Sequence, residues 1–135
     1  MTVPKGGAEG VVTCAGGFSA GWSLYVKDGK PNFRYTFFDI ADVNVPGTVE
    51  LPEGEVTLKT EFTPDGSKDG GGTIKLFVND TLAGEGKLTR TAFRHGLEPF
   101  EVGRDSITAV DPAYKEVGQF PFTGAIQTVT FGLTK

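Results

Sequence analysis

Histidine and cysteine are almost missing from this sequence. The chain of 135 residues has one of each, His95 and Cys14. A transition-metal centre needs several His, Cys or carboxylate ligands in one place, so the composition argues against a metal hydrolase. A serine or cysteine triad would have to use His95, which lies beside Gly96 in a predicted turn and is interpreted as an exposed loop residue. A lone cysteine forms no intrachain disulfide, so we expect packing to stabilise the fold.

Excess charge and long apolar runs are missing as well. The chain has 13 basic and 17 acidic side chains and a formal net charge of −4. Without a basic patch to neutralise phosphates, a nucleic-acid partner is not expected. No stretch reaches the roughly 18 apolar residues of a membrane span, and the first ten residues lack the apolar core of a signal peptide. We therefore expect no membrane partner, and the sequence assigns no cellular compartment.

Helix signals are scarce, whereas strand signals recur along the whole chain. Glycine and proline interrupt every window that would need a 3.6-residue apolar period. Alternation of apolar and polar residues instead predicts strands in GWSLYVK, NFRYTFF, EVTLKTEF, TIKLFVN and TLAGEGKL. Asp28-Gly29 and Asn79-Asp80 are typical of two-residue hairpin turns. Regular short strands separated by turns predict one antiparallel two-sheet β-sandwich domain.

The two ends of the chain carry further predictions. GVVTCAG (10–16) is interpreted as the first core strand and GAIQTVTFGL (124–133) as the closing strand. We expect these two strands to pair and so to bring the chain ends together. Residues 1–9 are predicted to be a flexible lead-in. The glycine-rich run at 63–72 lacks the lysine of a phosphate-binding loop and is interpreted as a connection.

The stretch EPFEVGRDSITAV (98–110) contains the most concentrated group of charged residues. A glycosidase needs two carboxylates in one groove, but Glu98 and Glu101 are three apart and would face opposite sides of an unbroken strand. A small glycoside hydrolase therefore stays a third hypothesis. Tyr25, Phe38 and Phe77 are out of phase with the predicted core residues. They indicate either a sugar-stacking face or positions that loops cover.

Four segments together resemble the C-terminal accessory domain of large bacterial arylsulfatases. They are GWSLYVKDGKPNFRYTFFD, GTIKLFVND…AGEGKL, FEVGRDSITAV and YKEVGQFPFTGAIQTVTF, in this order. The resemblance covers about residues 10–131 and implies a jelly-roll sandwich of the concanavalin A or laminin-G type, attached to a separate sulfatase catalytic domain. Cys14 is followed by AGGF, which departs from the Cys-x-Pro-x-Arg motif of the sulfatase nucleophile. No sulfatase catalytic residue is therefore carried over to this chain.

The resemblance also gives a meaning to VGRD (102–105). Gly103 is expected to permit a sharp bend, with Arg104 and Asp105 pairing with neighbours or capping the next loop. Because rim loops of laminin-G relatives hold calcium, Asp105, Ser106 and Asp111 are the candidate calcium ligands.

These observations lead to one preferred function and one alternative. The preferred function is a non-catalytic accessory domain that packs on a sulfatase catalytic domain or a partner subunit. The alternative is a carbohydrate-binding module, assisted by calcium. The candidate ligand-binding residues are Tyr25, Arg34, Phe38, Phe77, Arg104 and Asp105.

Overall fold

The computed structural model describes residues 1–38, 40–91 and 98–133, and most of their regular structure is extended. The strands are β1 Thr2–Val3, β2 Gly10–Gly16, β3 Ala20–Lys27, β4 Lys30–Phe37, β5 Ala41–Pro46, β6 Gly54–Glu55, β7 Leu58–Pro64, β8 Gly72–Val78, β9 Thr81–Leu88 and β10 Phe100–Val102. A short 3₁₀-helix, η1, spans Pro112–Val117. In the part of the chain that is described, no helix has the length and apolar character needed to cross a membrane.

Two antiparallel sheets form the body of the protein. The larger sheet has the order β10-β2-β3-β4-β5 and the smaller has the order β7-β8-β9. Asp28 and Asn79 both have φ +52°, as the tight turns between β3 and β4 and between β8 and β9 require. The predicted all-β sandwich and its hairpins are confirmed, and the jelly-roll connectivity stays a prediction.

The main core lies between the two sheets. The inward side chains of β3, β4 and β5 meet those of β8 and β9, with Val26, Val45 and Leu76 completely buried. On one side of the sandwich β9 approaches β5 closely: a Cβ placed on Gly86 would lie 2.7 Å from Val45 Cγ2. Glycine at this position allows the sheets to converge, so the sandwich is closed along β5 and β9.

The opposite side of the sandwich is open. There β7 is the edge of its sheet, and a cleft of about 960 Å³ is lined by β7 and by residues 126–133. The inner walls of this cleft include Trp22, Phe33 and Ile74. We call it the side cleft.

Two predictions about the chain ends are wrong. Residues 1–9 contain β1, which pairs with β6 and buries Val3, so this segment belongs to the fold. The segment 124–133 does not pair with the first core strand, because β3 and β10 occupy both edges of β2. It is joined to β1 instead, through an isolated antiparallel bridge between Thr2 and Ala125. The chain ends do meet, but through β1.

Candidate functional site

The stretch 98–120 covers part of the outer face of the five-stranded sheet. β10 pairs with β2, with Glu101 opposite Cys14. Gly103 then turns the chain at φ +82°, which is the predicted bend. The chain continues over β2 and β3 and places the Tyr114 and Phe120 rings 5.0 and 6.3 Å from the ring of Tyr25. A second apolar cluster therefore lies on the outer face, separate from the main core.

Two buried tyrosines bind two buried aspartates beneath this cover. The Tyr25 hydroxyl donates to Asp111 Oδ2 at 2.5 Å, and the Tyr114 hydroxyl lies 2.6 Å from Asp105 Oδ2 and 3.0 Å from Ser23 Oγ. Burial, followed by the hydrogen bond to the aspartate, raises the pKa of each phenol well above its usual value. Both tyrosines are therefore neutral hydrogen-bond donors at physiological pH.

The acidic residues of this stretch hold the loop in place. Glu98 accepts hydrogen bonds from the Thr108 amide and hydroxyl, at 3.0 and 2.5 Å. Glu101 accepts from the Ser106 amide at 2.7 Å. Asp105 accepts from the Val110 amide at 2.9 Å.

Asp111 caps η1 in the same way, accepting from the Ala113 amide at 2.8 Å. Each carboxylate thus satisfies backbone donors of a loop that has little regular structure.

Cys14, Glu101 and Asp105 bring one possible ligand atom each within 4.8 Å of one another. Burial, together with the nearby Asp105, Glu101 and Glu98 charges, raises the pKa of the Cys14 thiol to about 12. Burial likewise raises the pKa of Asp105. Burial also opposes ionisation of Glu101, but the Ser106 hydrogen bonds and the Arg104 charge outweigh it and lower its pKa. The thiol is therefore protonated at neutral pH, the form that is neither nucleophile nor metal ligand.

The three predicted calcium ligands each make other contacts in the structure. Asp105 belongs to the group with Cys14 and Glu101, whereas Asp111 lies outside that group. Both Asp111 oxygens already accept hydrogen bonds, from Tyr25 and from Ala113. Ser106 turns its amide toward Glu101. The set of Asp105, Ser106 and Asp111 is thus used mainly for holding the loop.

The predicted ligand-binding aromatics have three different environments. Tyr25 is only 2% exposed because the chain at 103–120 covers it. Of the two interpretations, it is therefore a position that a loop covers and not a sugar-stacking platform. Phe77 is half-buried, with Lys59 Nζ 4.5 Å from its ring centroid. Phe38 is 60% exposed, as its prediction requires. Of the three, Phe38 offers the most open ring.

The two candidate arginines have acidic partners. Arg34 forms an ion pair with Asp42 at 2.9 Å on the outer face of the large sheet. The exposed Arg104 lies 3.5 Å from Glu101, three residues before it. Among the described residues, the Nε atom of Arg34 is buried and has no hydrogen-bond partner. His95, the predicted exposed loop residue, lies outside the described residues.

Three turns meet at the end of the five-stranded sheet that carries Phe38. The Phe38 amide donates to Ser19 O at 2.6 Å, joining the β4–β5 turn to the β2–β3 turn. The Phe18 amide donates to Thr108 Oγ1 at 3.0 Å, which attaches the 105–109 loop. These turns expose four large apolar side chains, each about 60% accessible: Phe18, Phe38, Ile40 and Ile107. We call these four residues the apolar rim.

Sequence reasoning found only one member of the apolar rim. Phe38 was a candidate because it is out of phase with the core. Phe18, Ile40 and Ile107 lie in turns, where periodicity carries no information about exposure. A useful signal would have been a large apolar residue inside a predicted turn, a position that usually holds Gly, Asn, Asp, Ser or Pro.

Comparison of the chain with protein-family models, with curated proteins and with solved structures found no match.

Proposed function

We propose that this chain is a non-catalytic accessory β-sandwich domain that docks on a protein partner through the apolar rim. The observation that carries the proposal is the exposure of Phe18, Phe38, Ile40 and Ile107 on three adjoining turns. Single exposed apolar residues are common, whereas a contiguous group marks an interaction surface.

The backbone of Phe38 supports this reading. Its φ is +47°, a left-handed conformation that is uncommon for a bulky side chain. Holding a residue there costs on the order of 1–3 kcal/mol, and such conformations cluster at functional positions. Here the conformation belongs to a residue that presents its ring to solvent.

We further propose a sulfatase catalytic domain as the partner. This part rests on the order of the four motifs that resemble the arylsulfatase accessory domain. The proposal places the chemistry in the partner, so the purified chain should not hydrolyse aryl sulfates. Hydrolysis by the wild-type chain that persists through rigorous purification would contradict it.

A docking measurement tests the proposal. Binding of the chain to a bacterial arylsulfatase catalytic domain, prepared without its own C-terminal region, would be followed by calorimetry. Phe38→Ala should weaken binding at least tenfold, because aromatic anchors dominate the binding energy of interfaces. Leu82→Ala, which removes an exposed apolar side chain outside the apolar rim, is the matched control and should leave affinity unchanged. Absence of wild-type binding, or equal losses in both variants, would refute the docking surface.

A glycan ligand is the second candidate, and one observation favours it. Arg34, Asp42 and Asn44 lie together on the outer face of β4 and β5, the half of the sheet beyond the second apolar cluster. Planar polar side chains of this kind suit the hydroxyl groups of a sugar. A glycan array probed with and without calcium tests this reading, with Asn44→Ala as the variant that should lose sugar but keep the protein partner. A blank array in both conditions would rule the glycan out.

A further inference from the structure

Strand β1 lies between two other stretches of chain and stops at Met1. On one side, Met1 and Val56 exchange two hydrogen bonds of 2.8 Å through their backbone groups, the N-terminal ammonium included. On the other side, Thr2 and Ala125 exchange two backbone hydrogen bonds of 2.7 and 3.0 Å. β1 therefore lies between β6 and the closing segment and is antiparallel to both.

The side cleft lies beyond Met1, in line with β1 and between the continuations of its two neighbours. Its two long sides are formed by β7, which follows β6, and by residues 126–133, which follow Ala125. Met1 itself lines the cleft. A strand that continued β1 backwards would therefore run between these two sides.

The register of such a strand follows from the contacts of β1. With Met1 opposite Val56, the second, fourth and sixth positions upstream of Met1 would face Leu58, Thr60 and Phe62. Successive residues of a strand direct their backbone N–H and C=O groups to opposite sides. The Thr57 carbonyl accepts from the Asn79 amide on the β8 side, so the backbone groups of Leu58, Thr60 and Phe62 point away from β8. Within the described ranges, no backbone hydrogen bond reaches this outer edge of β7 beyond Val56.

The walls of the side cleft fit the side chains of a strand. Its apolar lining includes Leu58 and Phe62 of β7 together with Trp22 and Phe33 of the large sheet. Thr60 also lines the cleft, and its hydroxyl oxygen is buried with no hydrogen-bond partner among the described residues. An apolar interior with unpaired backbone groups along its edge matches an extended peptide better than a compact small molecule.

We propose that the side cleft is an acceptor site for one β-strand of a partner polypeptide, antiparallel to β7 and apolar at alternate positions. The cleft is bounded on both long sides, so it suits an isolated extended segment and not the edge of another sheet, such as β7 of a second copy. The inference rests on the proposed function, because it identifies how the docking partner makes a second contact. The partner's strand gains main-chain hydrogen bonds from β7, and its apolar residues give specificity.

Hydrogen exchange with a synthetic peptide tests this site directly. The probe is an acetylated and amidated heptapeptide with valine at alternate positions and lysine or threonine between them. Its binding should slow amide exchange at Leu58, Thr60 and Phe62 at least tenfold. Thr60→Lys, which puts a charge into the cleft, should abolish this protection. Thr63→Lys makes the same change at an exposed position of β7 that faces away from the cleft, and it should keep the protection.

A fused strand makes the test independent of peptide affinity. Seven residues placed directly before Met1, with valine at the second, fourth and sixth positions upstream, should protect the same three amides and raise Tm. The matched control has the same composition with valine at the first, third and fifth positions, and it should do neither. Protection in the first fusion alone supports the acceptor site, even when the free peptide binds weakly. No protection in either fusion, or equal protection in both, overturns it.

Two further outcomes separate this inference from its rivals. Dimerisation of the wild-type chain in sedimentation experiments, abolished by Thr60→Lys, would assign the cleft to a second copy and overturn the proposal. Phe38→Ala should leave peptide protection unchanged, since the apolar rim lies outside the cleft. The docking function and the strand acceptor can therefore fail separately.

Discussion

At the residue scale, Tyr25 joins strand β3 to the loop that covers the outer face, because its hydroxyl donates to Asp111. Its alternation with Leu24 and Val26 correctly places it on the other face of β3. Whether that face meets solvent or protein is decided by Asp111, which lies 86 residues further along the chain. A period of two gives the face of a strand and carries no information about a distant loop. Phe38, selected by the same alternation, lies in the turn after β4, and its ring is 60% exposed.

The Tyr25–Asp111 hydrogen bond gives the first prediction. Tyr25→Phe keeps the packing of the ring but leaves a buried carboxylate oxygen without this donor. An unsatisfied buried acceptor costs about 1–3 kcal/mol, so the free energy of unfolding in urea should fall by that amount. Asp42→Asn, which alters the partly exposed ion pair with Arg34, should cost no more than about 1 kcal/mol. Equal and small losses for both variants would show that the buried bond contributes little.

The buried thiol predicts how stability changes in alkali. Burial raises the pKa of the Cys14 thiol from its ordinary value of 9.0 to about 12 in the folded chain, so the native state retains a proton that the unfolded chain releases. The stabilising contribution of the neutral thiol is fully present below pH 9 and is lost as the pH rises toward 12. The slope from this group is at most about 1.4 kcal/mol per pH unit. Urea unfolding between pH 8 and 11 should show the decline, and Cys14→Ala should flatten it.

The tyrosines contribute to the same decline at somewhat higher pH. Because the folded pKa values of Tyr25 and Tyr114 are raised, stability also falls as the pH passes the usual tyrosine value of about 10. Tyr114→Phe should remove part of the slope above pH 10 and leave the decline between pH 9 and 10, which belongs to Cys14. A stability profile that stays flat to pH 11 in the wild type would contradict both assignments.

At the element scale, local signals determine hairpins well and sheet neighbours poorly. Asp28-Gly29 and Asn79-Asp80 set their turns and the register of the adjoining strands, and both hairpins were predictable. The strand that pairs with the free edge of β2 was not predictable, because the sequence of β10 and that of the closing segment are both compatible with a strand. The strand that pairs with this edge of β2 is β10, which has only three residues, Phe100–Val102. The loop that follows β10 is held by the carboxylates at 98–111.

Strand β9 supplies a prediction about how the sheets meet. Gly86→Ala would place a Cβ 2.7 Å from Val45 Cγ2 and 3.0 Å from Val43 Cγ2, both on stiff branched side chains. Such overpacking typically costs 1–3 kcal/mol, which exceeds the roughly 0.5–1 kcal/mol that alanine gains over glycine in a strand. Thermal unfolding should therefore show a lower Tm. Gly132→Ala has open space around its Cβ and should be close to neutral; an unchanged Tm in Gly86→Ala would mean that β9 can move away from β5.

At the scale of the whole molecule, the sandwich is asymmetric. One side is closed where β9 packs on β5, and the other contains the side cleft between β7 and residues 126–133. Composition and periodicity predicted two layers, because they report which residues face inward. They could not predict which side of the sandwich is open. That depends on which strands lie at the sheet edges and what packs against them, which is set by the order in which the chain crosses between the sheets.

This asymmetry predicts a gradient of local stability across the molecule. Amides of β3 and β4 lie in the middle of the large sheet, so they should exchange only through global unfolding. The outward amides of Leu58, Thr60 and Phe62 and those of residues 126–133 have no backbone partner among the described residues and should exchange much faster. Amides of β5, although at a sheet edge, should exchange more slowly than those of β7, because β9 packs against β5. Native-state hydrogen exchange measures all of these, and equal protection of β5 and β7 would show that the side cleft is closed in solution.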